Sequence, residues 1–116
     1  MLWHKLVEIS QLQSIIDLSK EQSNPQISAV LLFKHSTRCS ISTMALSRLE
    51  TKWLDDEKIP AYYLDLLNYR DISNEIASLF GIEHASPQVL LIKDGTCIYH
   101  ASHSAISATD ILEAAK

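Results

Sequence analysis

Hydrophobic and polar positions alternate between two rhythms along the chain. In residues 10–22, SQLQSIIDLSKEQ, the apolar positions Leu12, Ile15, Ile16 and Leu18 have helical spacing, and Ser10 stands where an N-cap belongs. Residues 27–35, ISAVLLFKH, form a short, continuous, partly β-branched run, which predicts a buried strand. STMALSRLETKWLDD, residues 42–56, returns to helical spacing and predicts Met44, Leu46, Leu49, Trp53 and Leu54 facing inward. PAYYLDLL, residues 60–67, predicts a strand. YRDISNEIASLFGI, residues 69–82, predicts a helix with Ile72, Ile76, Leu79 and Phe80 as its apolar stripe and Gly81 at its end. QVLLIKDG and TCIYHASH predict two strands around Asp94-Gly95, a strong hairpin signal, and SATDILEAAK predicts a last helix.

The order is (β)αβαβα–ββα in one domain of 116 residues. The two strands joined through a helix should be parallel and the final pair antiparallel, giving a mixed α/β sheet with helices on both faces. A two-residue turn at Asp94-Gly95 sets Lys93 opposite Thr96. Continued without interruption, that register sets Ile92 opposite Cys97, Pro87 opposite Ser102 and Ser86 opposite His103.

Composition narrows the function. Apolar residues make up 47% and charged residues 21%, which fits a folded core rather than disorder. A net charge of −4 with scattered Lys and Arg argues against a nucleic-acid or membrane-surface partner. The N-terminus, MLWHKLVEIS, lacks the basic-then-apolar pattern of a signal peptide, and two cysteines do not make a disulfide scaffold. The expectation is a cytoplasmic protein with reduced thiols. Trp3, Trp53, Tyr62 and Tyr63 read as core or core edge, and Asp65 with Arg70 as a structural pair or cap.

The stretch FKHSTRCSIS carries the chemistry. Cys39 follows a buried strand and sits at or near the start of the next helix, at the carboxyl end of parallel strands where α/β proteins place reactive groups. Free N–H groups and the positive end of the helix favour a thiolate there, and Lys34, His35 and Arg38 are close in sequence. A phosphatase-like loop wants an arginine six residues after its cysteine, where this chain has Ala45. A zinc site wants three or four ligands, and Cys39 with His35 offers two. No cysteine-protease signature is present. Thiol–disulfide exchange is what fits, and no metal is expected.

The order of elements resembles the thioredoxin fold. The C-x-x-S motif of Cys39 and Ser42 lies at its active-helix start, and Ser86-Pro87 where that fold keeps its cis-proline. More narrowly, FKHSTRCSIS, YYLDLLNYRDISNEIA, HASPQVLLIK and SHSAI resemble the YtxJ-like family of monothiol bacilliredoxin-type proteins. The resemblance implies exchange of mixed disulfides between client proteins and bacillithiol, a small thiol acting as co-substrate with no tightly bound cofactor. Thr37, Arg38, Ser40, Ser86 and Pro87 would surround Cys39, and Ser42 would donate a hydrogen bond to its thiolate. Phe33 stands where thioredoxins bury an acid. Because the cis-proline loop of this fold lies against the cysteine, Ser102, His103, Ser104 and the N–H groups of the last helix are expected to hold the small thiol's carboxylates or hydroxyls. Cys97, five residues along its strand from Ser102, is about 16 Å away at ~3.3 Å per residue, so it reads as a small buried hydrophobe rather than a resolving thiol. A redox sensor, or a binding module with an incidental cysteine, are the alternative readings.

Overall fold

A computed structural model describes residues 1–53 and 58–116. Leu54, expected to face inward, lies outside the described residues. The elements are β1 (Trp3–Lys5), α1 (Ser10–Leu18), β2 (Val30–His35), α2 (Ser40–Lys52), β3 (Ala61–Asp65), α3 (Arg70–Phe80), β4 (Gln88–Lys93), β5 (Thr96–Ser102), a 3-10 turn at His103–Ala105, and α4 (Ala108–Ala114). They form a thioredoxin fold around one five-stranded sheet in the order β1-β3-β2-β4-β5. Strands β1, β3 and β2 are parallel, while β4 runs antiparallel to β2 and β5 antiparallel to β4.

Both faces of β2 are buried, from Val30 to His35. Leu31 and Phe33 enter one core with Ala45, Leu49 and Ile111 from α2 and α4. Val30 and Leu32 enter a second core with Ile15, Ile72 and Ile76 from α1 and α3. A strand covered on both sides reads as a continuous apolar run, which is why ISAVLLFKH shows no alternation.

Three local expectations change. Ser10 is the first residue of α1 rather than its cap; the first-turn N–H groups of Gln11 and Leu12 go to the carbonyls of Glu8 and Ile9, while the Gln11 side chain accepts from the backbone N–H of Val7 and Glu8 at 2.7 and 2.9 Å and ties down the preceding loop. Helix α2 turns Ser42, Ala45 and Leu49 inward, so Met44 is 63% exposed and Leu46 and Trp53 only edge the core. On α3, Leu79 is exposed, because Ile72 and Ile76 already fill the contact with the sheet. Gly81 ends α3 in the left-handed conformation at φ 67°, as its position suggested.

The hairpin begins in the expected register and then slips. Lys93 pairs with Thr96 and Ile92 with Cys97, but Leu91 pairs with Tyr99. The bulge inserts Ile98, so Ser102 faces Gln88 rather than Pro87. His103 donates its backbone N–H to the Pro87 carbonyl at 3.0 Å, in place of the expected pairing with Ser86. The extra residue also reverses the alternation: Cys97 packs with the α1/α3 core, whereas Tyr99 and Ala101 pack with the α2/α4 core. The turn is anchored from outside, since Ser19 accepts from the backbone N–H of Asp94 through its carbonyl and from that of Gly95 through its hydroxyl.

Candidate active site

Strand β2 ends at His35, and the chain turns through Ser36, Thr37 and Arg38 before α2 begins. Cys39 is the N-cap residue of α2, with extended backbone angles. Its N–H donates to the Ser36 carbonyl at 3.1 Å, and its carbonyl accepts from the Thr43 backbone and hydroxyl at 3.0 and 3.2 Å. These bonds fix the backbone around the cysteine and leave its side chain half-exposed at the positive end of the helix. Thr37, Arg38 and Ser40 are exposed around it.

Ser42 makes its polar contacts with the turn and with His35. It is fully buried; its hydroxyl accepts from the Ser36 N–H at 3.0 Å and lies 2.6 Å from His35 Nδ1. Its polar contacts tie the β2–α2 turn to the helix and to His35. Burial pulls the pKa of His35 below the usual histidine value, and the Asp65 carboxylate opposes that shift. The ring stacks on Phe33 at 5.6 Å and lies 5.4 Å from Tyr63. Phe33 therefore supplies an aromatic wall where an acid would otherwise stand.

Lys34 does not help Cys39. It points to the opposite face of the sheet, fully buried, and donates to the Ser73 carbonyl at 3.1 Å and toward His84 Nδ1 at 3.2 Å. Burial lowers its pKa from 10.5 to about 8. Its position inside a strand was visible in the sequence, but neighbours in a strand point to opposite faces. Asp65 does not cap through Arg70; its Oδ2 accepts from Asn68 at 2.8 Å.

The Ser86–Pro87 peptide is cis. Gln88 pairs with Lys34, so the 86–87 bend lies beside the end of β2 from which the cysteine turn departs. The expected small-thiol residues are divided by the fold. Ser102 lines a small cleft with Gln88, His84 and His100. Ser104 lines a separate cleft of about 510 Å³ with Arg48, Lys52 and Ser107. His103, at φ 55°, bridges them, and its carbonyl accepts from Arg48 at 3.2 Å. The last helix offers less than expected: it is 7 residues long, Ser107 already caps the Asp110 N–H at 3.4 Å, and Asp110 adds negative charge there.

Cys97 is remote from this region in sequence position along β5 and in face. Its thiol donates to the Tyr99 carbonyl at 3.2 Å, and burial raises its pKa. Among the described residues no group of three or more His, Cys, Asp or Glu is placed to hold a metal, and no helix is long and apolar enough to cross a membrane.

The sequence profile described as "Monothiol bacilliredoxin BrxC" matches residues 4–111. Among solved structures, a candidate oxidoreductase with a thioredoxin fold is 27% identical, with a TM-score of 0.80 over 98% of this chain and 94% of that one. The oxidised thioredoxin of Plasmodium falciparum is 14% identical, with a TM-score of 0.71 over 99% of this chain and 100% of that one. The thioredoxin of Malassezia sympodialis is 15% identical, with a TM-score of 0.70 over 99% of this chain and 88% of that one. The two thioredoxins share the fold.

Proposed function

The chain belongs to the monothiol bacilliredoxin family, thiol oxidoreductases on the thioredoxin fold, and from that premise we propose that Cys39 exchanges small-thiol mixed disulfides on client proteins. The carrying observation is the placement of the two cysteines. Both thiols are partly exposed, but Cys39 is the N-cap at the positive end of α2, whereas Cys97 is tied to Tyr99 and packs with the other core.

In the proposed reaction the Cys39 thiolate attacks the small-thiol sulfur of a client mixed disulfide. A bond forms between Cys39 and that sulfur. The client–sulfur bond breaks, and the client leaves as a thiolate that takes a proton from water. A hydroxyl at position 42 is too weak a nucleophile to complete an internal exchange, so a second small-thiol thiolate attacks the adduct. It leaves as the symmetric disulfide and regenerates the Cys39 thiolate. Bacillithiol is the proposed co-substrate. S-thiolated cytoplasmic proteins are the proposed clients.

Incubation with an oxidised small thiol tests the proposal by intact mass. One adduct per chain should form, should vanish in Cys39→Ser and should persist in Cys97→Ser. An adduct on Cys97, or an internal bond with loss of two hydrogens in monomeric protein, would remove Cys39 from its role.

A further inference from the structure

Cys39 and Ser42 are the N-cap and third residues of α2. Residues three apart at the start of a helix are neighbours on its surface, and in this structure the Ser42 hydroxyl bonds His35 and Ser36 rather than the Cys39 sulfur. A serine hydroxyl has one proton and two acceptor sites. One acceptor site takes the Ser36 N–H, and His35 Nδ1 lies 2.6 Å away on another side. When Nδ1 carries no proton, the Ser42 proton is drawn to it and none remains for the sulfur. When Nδ1 is protonated it donates to Ser42, and the serine proton is free to turn toward Cys39.

We propose that His35 is a positioning residue for the Cys39 reaction: through Ser42, its protonation sets whether the Cys39 sulfur receives a hydrogen bond. The inference rests on Cys39 being the exchanging thiol. The surroundings of His35 are built for two states. Strand β3 sets Asp65 opposite it in register. Asp65 Oδ1 is buried and has no hydrogen-bond partner among the described residues. Tyr63 of β3 and Phe33 of β2 cover the ring, Ser42 meets it from α2, Lys34 faces away, and Glu50 acts on Tyr63. Burial favours the neutral ring, while the Asp65 carboxylate favours the cation. Each Cys39 thiolate attacks faster when its sulfur carries no hydrogen bond. Departure of Cys39 from its adduct is faster when the developing charge receives one.

Linkage supplies the test. If the thiolate gains from protonated His35 through Ser42, alkylating Cys39 with iodoacetamide must lower the His35 titration midpoint. NMR of imidazole-labelled protein, reduced and alkylated, reads that midpoint and the ring tautomer. The wild type should show the Nε2–H tautomer when neutral and a downward shift on alkylation. The shift should fall by at least half in Ser42→Ala, and Asp65→Asn should lower the midpoint in both forms. A full shift in Ser42→Ala would mean that direct attraction between thiolate and imidazolium suffices, and would overturn the proposal. An Nδ1–H tautomer in the neutral wild type would overturn it without any variant. Exchange activity retained in Cys39→Ser would instead overturn the parent reading, and the titration would show so separately.

Discussion

Replacing Lys34 with methionine should stabilise the protein, because the native residue holds a cation in the core at a cost. Lys34 is fully buried, and its ammonium donates to a helix carbonyl of Ser73 and toward Nδ1 of His84. Its pKa falls from 10.5 to about 8. A lysine with a depressed folded-state pKa binds its proton more tightly in the unfolded chain, so stability rises with pH between the two values. A unit or more below pH 8 the cost is nearly full: 2.5 pH units at 1.36 kcal/mol each is about 3 kcal/mol. At pH 9.5 the unfolded lysine is mostly charged while the folded one is mostly neutral, and the same linkage leaves about 1 kcal/mol. Lys34→Met keeps the length of the side chain and removes the charge. Urea unfolding from pH 7 to 9.5 should show the variant about 3 kcal/mol more stable at pH 7, with the gap narrowing by about 2 kcal/mol at pH 9.5. The thiol of Cys97 and the buried-edge tyrosines Tyr62, Tyr63 and Tyr99, all with raised pKa values, are common to both proteins and cancel in the difference. His84, whose pKa Lys34 helps to lower, titrates below this window. A gap that does not change with pH, or a variant less stable at pH 7, would refute the argument that burial governs this lysine.

Leu49→Ala, at a fully buried position of α2, should cost about 2–5 kcal/mol in the same unfolding assay, whereas Met44→Lys on the exposed face should change stability by less than about 0.5 kcal/mol; the reverse ranking would mean that α2 is rotated. Ser42→Cys adds a second thiol one helical turn from Cys39 and should expel a bound small thiol, leaving an internal disulfide visible as the loss of two hydrogens by mass. An adduct as long-lived as that of the native protein would show that residue 42 does not face the cysteine.

The order of elements was legible along the chain because each depends on short-range rules. Helical spacing at Ile72 and Ile76, the left-handed stop at Gly81 and the paired positive φ of Asp94 and Gly95 are set by local sterics and burial. The position of Cys39 at the start of α2 followed from the same rules, and so did the lack of any second cysteine nearby. Which way the side chains point did not. Strand alternation sends Lys34 and His35 to opposite faces, but a strand buried on both faces has no polar side to mark its orientation, so the run gave no sign which of the two turns to α3 and which to α2. Helix α2 carries apolar residues on more than one face, and only packing against β2 and α4 selected Ser42, Ala45 and Leu49 over Met44. The bulge at Ile98 is a tertiary choice as well: the turn anchored on Ser19 sets one register, the far end of β5 keeps another, and the extra residue absorbs the difference. Local rules place the reactive atom in the chain; the long-range contacts, made between residues far apart in sequence, decide what surrounds it.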